Sequence, residues 1–184
     1  MEDRQIIDLL WERSEQGINE IARKYGRYCH KIAFNILADR EDSEECISDT
    51  YLKVWNTIPP NRPESLSAYI GRIVRNLSLN KWEQRGAQKR GGGQICAALD
   101  ELSRCIPSNS GRSVEDVELA EIINSFLAQM EVEKRRIFIK RYWYMDSVKE
   151  ISKELGFSES RVKMSLYRSR SQLRLWLEKE GVSI

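Results

Sequence analysis

The stretch Ser147-Val-Lys-Glu-Ile-Ser-Lys-Glu-Leu-Gly-Phe-Ser-Glu-Ser-Arg-Val-Lys-Met-Ser-Leu-Tyr-Arg168 decides the fold of this 184-residue chain. Val148, Ile151 and Leu155 are spaced for one face of a short helix, Gly156 can adopt the left-handed turn that ends it, and Ser158 can cap a second helix. This order predicts a helix-turn-helix. In the second helix Val162, Leu166, Ser169 and Leu173 recur at steps of four, three and four, so they face inward. The outer face then carries Ser160, Arg161, Lys163, Met164, Tyr167, Arg168 and Ser171. A helix seated in a major groove needs such a face, with Arg to read base edges and Lys and Ser to hold phosphates. The competing reading is a plain helical hairpin with a solvated basic face, since glycine turns and serine caps are common.

Charge extends the pattern outward. Lys134, Arg135, Arg136, Lys140 and Arg141 precede the motif, and from Lys134 to Trp176 twelve bases face four acids, a surplus of +8. Arg62 to Ile95 carries +5, Asp39 to Thr50 carries −5 and Leu99 to Glu133 carries −6. The formal net charge of +2 therefore averages over acidic and basic blocks with different partners. Hydrophobic content of 41% and charged content of 32% suit small, surface-rich domains. No apolar run is long enough to span a bilayer, and the N-terminus MEDRQIIDLL is acidic where a signal peptide is basic, so a cytoplasmic protein without membrane insertion is expected. Cys29, Cys46, Cys96 and Cys105 form no C-x-x-C pair and His30 is the one histidine, so no metal or other cofactor is expected.

Helical periodicity dominates the remainder. Ile18, Ile21, Tyr25, Tyr28, Ile32, Ile36 and Leu37 form one stripe. Cys46, Ile47, Thr50, Tyr51, Val54, Trp55 and Ile58 form a second after an acidic start, which Asp39 or Asp42 can cap. Leu66, Tyr69, Ile70, Ile73, Val74 and Leu77 open a third helix behind a Ser65 cap, following the proline cluster at 59, 60 and 63. A short helix from Asp3 to Arg13, ended near Gly17, completes a first helical domain over residues 1–88. Residues 89–113, with three consecutive glycines and Pro107, have the composition of a flexible linker. Residues 114–184 form the second domain, with helices predicted over Val117–Met130 and Val132–Tyr144. No alternating strand pattern occurs, so the fold class is all-α: two small helical domains joined by a linker.

Two further constellations lie in the first domain. The helix after Ser65 interleaves Tyr69, Arg72, Arg75, Asn76, Asn80, Lys81, Trp82 and Arg85, and single-stranded nucleic acid is held by aromatics that stack on bases and cations that follow phosphates. The bland reading puts the aromatics in the core and the bases in solvent. The acids Glu41, Asp42, Glu44, Glu45 and Asp49 are either a solvated helix start favoured by the helix dipole or a docking face for a basic partner. Exposed Leu52 and Trp55 would favour docking.

These motifs together resemble a bacterial sigma-70-family factor of the extracytoplasmic-function type, in which two helical domains, regions 2 and 4, are joined by a linker. The resemblance covers about residues 18–90 and 114–178. It rests on Tyr25-Gly26, the run Asp42 to Trp55, Ser67-Ala-Tyr-Ile-Gly-Arg-Ile-Val-Arg-Asn76-Leu, Arg141-Tyr-Trp143, Glu150 to Ser158 and Val162 to Arg170. It implies core RNA polymerase and promoter DNA as partners and leaves room for an anti-sigma factor, soluble or membrane-bound. Core polymerase would be met through Asp42, Glu45, Asp49, Leu52 and Trp55. The minus-ten element would be read and melted by the loop Asn56 to Ser65 and the following helix, through Arg62, Tyr69, Arg72, Arg75, Asn76, Asn80 and Lys81. The minus-thirty-five element would be read by Ser160, Arg161, Lys163, Met164, Tyr167 and Arg168. The acidic linker would run through the polymerase near the nascent RNA.

Three positions depart from the family pattern: Met130-Glu131 stands where Leu-Pro is common, Asn80 where an acid is usual, and Met164 where relatives carry a small or polar residue. The rival reading is a helix-turn-helix regulator that acts without polymerase docking, for which no sensor domain is evident. An enzyme is not expected, because His30 has no catalytic companion in the sequence. Cys29 and Cys46 fall on or beside apolar stripes and read as core, while Cys96 and Cys105 in the linker could pair under oxidation.

Overall fold

The computed structural model describes residues 1–86, 98, 101–102 and 114–182, with side chains described outside 114–118. Cys96 and Cys105 lie outside the described residues. The chain divides into two compact units, Met1–Gly91 and Gly92–Ile184. Eight helices occur among the described residues, and no strand.

The first unit holds α1 (Asp3–Trp11), α2 (Gln16–Leu37), α3 (Arg40–Thr57) and α4 (Leu66–Gly86). The second helix is the spine, packing against each of the other three. Its stripe Ile21, Tyr25, Cys29, Ile32, Ala33 and Ile36 is buried, together with Ile6 and Leu10 of α1, Cys46 and Val54 of α3, and Leu66, Ile70 and Val74 of α4. Burial of this kind supplies the main favourable term in folding. Gly17 does not end α1 as the sequence suggests. It lies inside α2, where a Cβ would come 3.0 Å from Leu10 Cδ2, so glycine serves the close approach of the two helices. The turn comes earlier, at Arg13 with φ 57°. Asp39 caps α3 by accepting from the Asp42 N–H at 3.0 Å, and Ser65 Oγ accepts from Ala68 N–H at 3.3 Å at the start of α4.

The second unit holds α5 (Val114–Gln129), α6 (Val132–Tyr142), α7 (Val148–Leu155) and α8 (Glu159–Lys179). Helix α6 stops two residues short of the predicted Tyr144. Met145 takes φ 57°, and the chain turns there to bury Asp146, whose carboxylate lies 3.6 Å from Lys140 Nζ. Ser147 and Glu150 cap α7 reciprocally, Gly156 ends it at φ 70°, and Ser158 Oγ accepts from Arg161 N–H at 3.2 Å to start α8. Ile151, Val162, Leu166, Leu173 and Leu177 form a core with Ile137 and Phe138, and Phe126 stacks edge-on with Phe138 at 6.4 Å. Among the described residues no helix is long and apolar enough to cross a membrane.

Candidate nucleic-acid interface

Helix α8 presents the predicted outer face. Val162, Leu166, Ser169 and Leu173 are buried, so Ser160, Lys163, Met164, Tyr167 and Arg168 stand in solvent, with Met164 50% and Tyr167 62% exposed. Apolar and aromatic groups so open to water are costly to leave unless something else covers them. Arg168 has no hydrogen bond or ion pair among the described residues. Lys163 approaches Glu159 only at 3.9 Å. Arg161 is held differently. Its guanidinium sits 4.0 Å over the Phe157 ring and 2.7 Å from Glu133 Oε1 of α6, which aligns it with the helix-turn-helix framework rather than leaving it free for a base.

The basic helix of the first unit divides in the same way. Arg72, Asn76 and Asn80 are exposed, and Arg72 lies 5.7 Å from the Tyr69 ring centre. Tyr69 is half-buried and donates from its hydroxyl to Thr57 Oγ1 at 2.8 Å, tying α4 to the end of α3. Arg75 is half-buried, and the surrounding protein lowers its pKa by desolvation. Lys81 is engaged by α3: its Nζ lies 2.5 Å from Glu45 Oε2 and 3.2 Å from Asp42 Oδ1. Burial works against its charge, but the hydrogen bonds to Glu45 and Asp42 prevail and raise its pKa. Arg85 pairs with Asp42 as well. Asp42 is therefore buried and ion-paired within the unit, and the predicted docking acids separate into buried Asp42, exposed Glu45 held by Lys81, and exposed Asp49.

Asp49 is exposed, and Leu52, one turn further on, is 59% exposed. Trp55 is half-buried under Arg13, whose guanidinium carbon lies 5.3 Å from the ring centre while Nη1 donates to the Trp55 carbonyl at 2.7 Å. Arg62, in the loop before α4, pairs with Asp8 and lies 5.5 Å over the Trp11 ring. No local pattern points to Asp8, Trp11, Arg13 or Glu133 as partners of site residues, because each acts across a gap of 28 to 54 positions. Cys29 and Cys46 are buried, and burial pushes the Cys29 thiol up to about 12, which keeps it neutral and inert. Among the described residues no group of three or more His, Cys, Asp and Glu could hold a metal ion.

A helix-turn-helix with an exposed basic face, preceded in the chain by a separate four-helix unit carrying an acidic and a basic helix, defines a two-domain all-helical protein of the helix-turn-helix class. The family model of Sigma-70 region 2 matches residues 21–88, and that of Sigma-70, region 4 matches residues 120–173. The chain belongs to the sigma-70 family, in its extracytoplasmic-function branch. It is 23% identical over 166 residues to the ECF RNA polymerase sigma factor SigE of Mycolicibacterium smegmatis, a match covering 89% of this chain and 62% of that one. It is 23% identical over 158 residues to the ECF RNA polymerase sigma factor SigL of Mycobacterium tuberculosis, covering 83% of this chain and 84% of SigL. A solved structure of CnrH in complex with the cytosolic domain of CnrY aligns at a TM-score of 0.43 and 19% identity, over 96% of this chain and 97% of that one.

Proposed function

We propose that the chain is a sigma factor that binds core RNA polymerase and directs initiation at promoters whose minus-thirty-five and minus-ten elements it reads with its two domains. The observation that carries this reading is the solvent-facing set Lys163, Met164, Tyr167 and Arg168 on α8, opposite the buried Val162, Leu166, Ser169 and Leu173. Arg168 reads a base edge, Lys163 contacts a phosphate, and Met164 with Tyr167 covers the apolar edge of a neighbouring base pair. In the first domain Arg72, Asn76 and Asn80 follow the single strand, and Tyr69, through its bond to Thr57, sets the angle at which α4 leaves the loop. Asp49 and Leu52 form the polymerase-facing patch. An anti-sigma factor, soluble or membrane-bound, is proposed as a further partner on the family membership alone.

The deciding experiment combines the purified chain with core RNA polymerase and genomic DNA and maps transcript starts. Starts that share two upstream elements, and that vanish when the chain is omitted, are expected. Tight operator binding by the chain alone, with no new starts, would replace this reading by that of a helix-turn-helix regulator.

A further inference from the structure

Trp11 closes α1 at the place where that helix meets the loop between α3 and α4. The buried stripe of α1 is Ile6, Ile7 and Leu10, and Trp11 falls beside it, 40% exposed. A single exposed indole means little by itself. Its surroundings are specific. The Arg62 guanidinium, from the loop over residues 58–65, lies over the Trp11 ring at 5.5 Å from its centre and pairs with Asp8, one turn back on α1. Arg13 reaches the other side of that loop, where its Nη1 donates to the Trp55 carbonyl in the last turn of α3 at 2.7 Å. Within the loop the Asn61 side chain donates to the Thr57 carbonyl at 2.9 Å, and Tyr69 at the start of α4 donates to the Thr57 hydroxyl. Contacts to α3 and to the loop thus fix the indole beside the segment proposed to read the melted minus-ten strand.

We infer that Trp11 is a stacking platform for one unpaired base of the melted promoter strand, in or next to the minus-ten element, and so adds α1 to the single-strand site. This inference rests on the sigma-factor reading above and deepens it. An indole presents a flat π-face that any base can cover, and a guanidinium lying on the ring brings a cation into the same stack. Charge sets the path of the strand. Asp8 and Glu12 are the acids beside Trp11, and acids repel phosphate, whereas Arg72, Asn76 and Asn80 stand exposed along α4. The sugar-phosphate backbone therefore follows α4, and a base reaches across the loop to the ring. Stacking of this kind tolerates any base, so Trp11 supplies affinity for unpaired DNA more than choice of sequence.

The test uses the full chain bound to core polymerase and a fluorescent single-stranded oligonucleotide that carries the minus-ten region of a promoter found by start-site mapping. Trp11→Ala should weaken its binding by roughly five- to a hundredfold, and Trp11→Phe should keep most of the wild-type affinity. An abasic site walked through the oligonucleotide leaves the backbone in place and removes one base at a time. At a single position it should weaken wild-type binding by about the same factor yet add little to Trp11→Ala, since the two changes remove one contact. A tryptophan with a merely structural role would give losses that add at every position, and that result would overturn the inference. So would unchanged oligonucleotide binding by Trp11→Ala, including the case in which core polymerase copurifies poorly and the ring is a protein contact. Should Trp11→Ala fail to fold, iodouracil placed at the sensitive position decides the matter: irradiation should crosslink it to Trp11 of the wild-type chain, and a crosslink elsewhere refutes the stack. Failure of the wild-type complex to prefer the minus-ten strand over a scrambled one would instead remove the sigma-factor reading.

Discussion

Lys81 Nζ of α4 lies 2.5 Å from Glu45 Oε2 of α3 and 3.2 Å from the buried Asp42 carboxylate, so a base of the helix proposed to face the promoter pairs with two acids of the helix proposed to meet polymerase. This pairing changes what both sides can do. Lys81→Met should destabilise the first domain by about 1–3 kcal/mol, because Asp42 keeps only its pair with Arg85. Adding Asp42→Asn to Lys81→Met should recover much of that loss. Urea unfolding of the single and double variants checks both statements, and additive losses would refute the coupling.

Asp49 and Leu52 carry the opposite expectation. Both are exposed, and Asp49 takes part in no hydrogen bond or ion pair among the described residues, so Asp49→Arg should leave the unfolding midpoint unchanged. Core polymerase should nevertheless copurify poorly with Asp49→Arg, since the substitution reverses charge on the proposed docking face. Normal copurification at near-physiological salt would place the contact elsewhere on the domain.

On α8, the helix proposed to read DNA, two arginines should part company. Arg168→Ala should weaken binding of the matched promoter duplex by about 1–3 kcal/mol and relax preference at one base pair. Arg161→Ala removes a brace against Phe157 and Glu133, so it should weaken binding across all sequences without altering the preferred base. Binding to a randomised duplex library separates the two outcomes. A changed preference in Arg161→Ala would show that its pairing with Glu133 opens on DNA.

Gly71 offers a packing test. A Cβ there would lie 2.2 Å from the Tyr28 hydroxyl oxygen, so the small residue of the Ser67 to Leu77 motif makes room for a tyrosine of α2. Gly71→Ala should cost about 1–3 kcal/mol through overpacking, and the same substitution in a Tyr28→Phe background should cost clearly less. Thermal melts of the four variants measure this, and an equal cost in both backgrounds would assign it to the backbone instead.

Sequence alone determined the helices, the helix-turn-helix and the outward set on α8, because each depends on residues within a few turns of one another: Gly156 and Ser158 set a turn and a cap, and steps of three and four set a face. It also determined that charge comes in blocks, since blocks are local sums. Tertiary structure alone decided which charges are spent inside the protein. Lys81 meets Asp42 and Glu45, Arg161 meets Glu133, Arg62 meets Asp8, and Glu101 meets Arg141 and Arg170 across folds of the chain that no local pattern encodes. A base reads the same in sequence whether it faces solvent or a buried carboxylate. The difference arises only when helices pack, because a salt bridge forms between whichever opposite charges the hydrophobic core brings within reach.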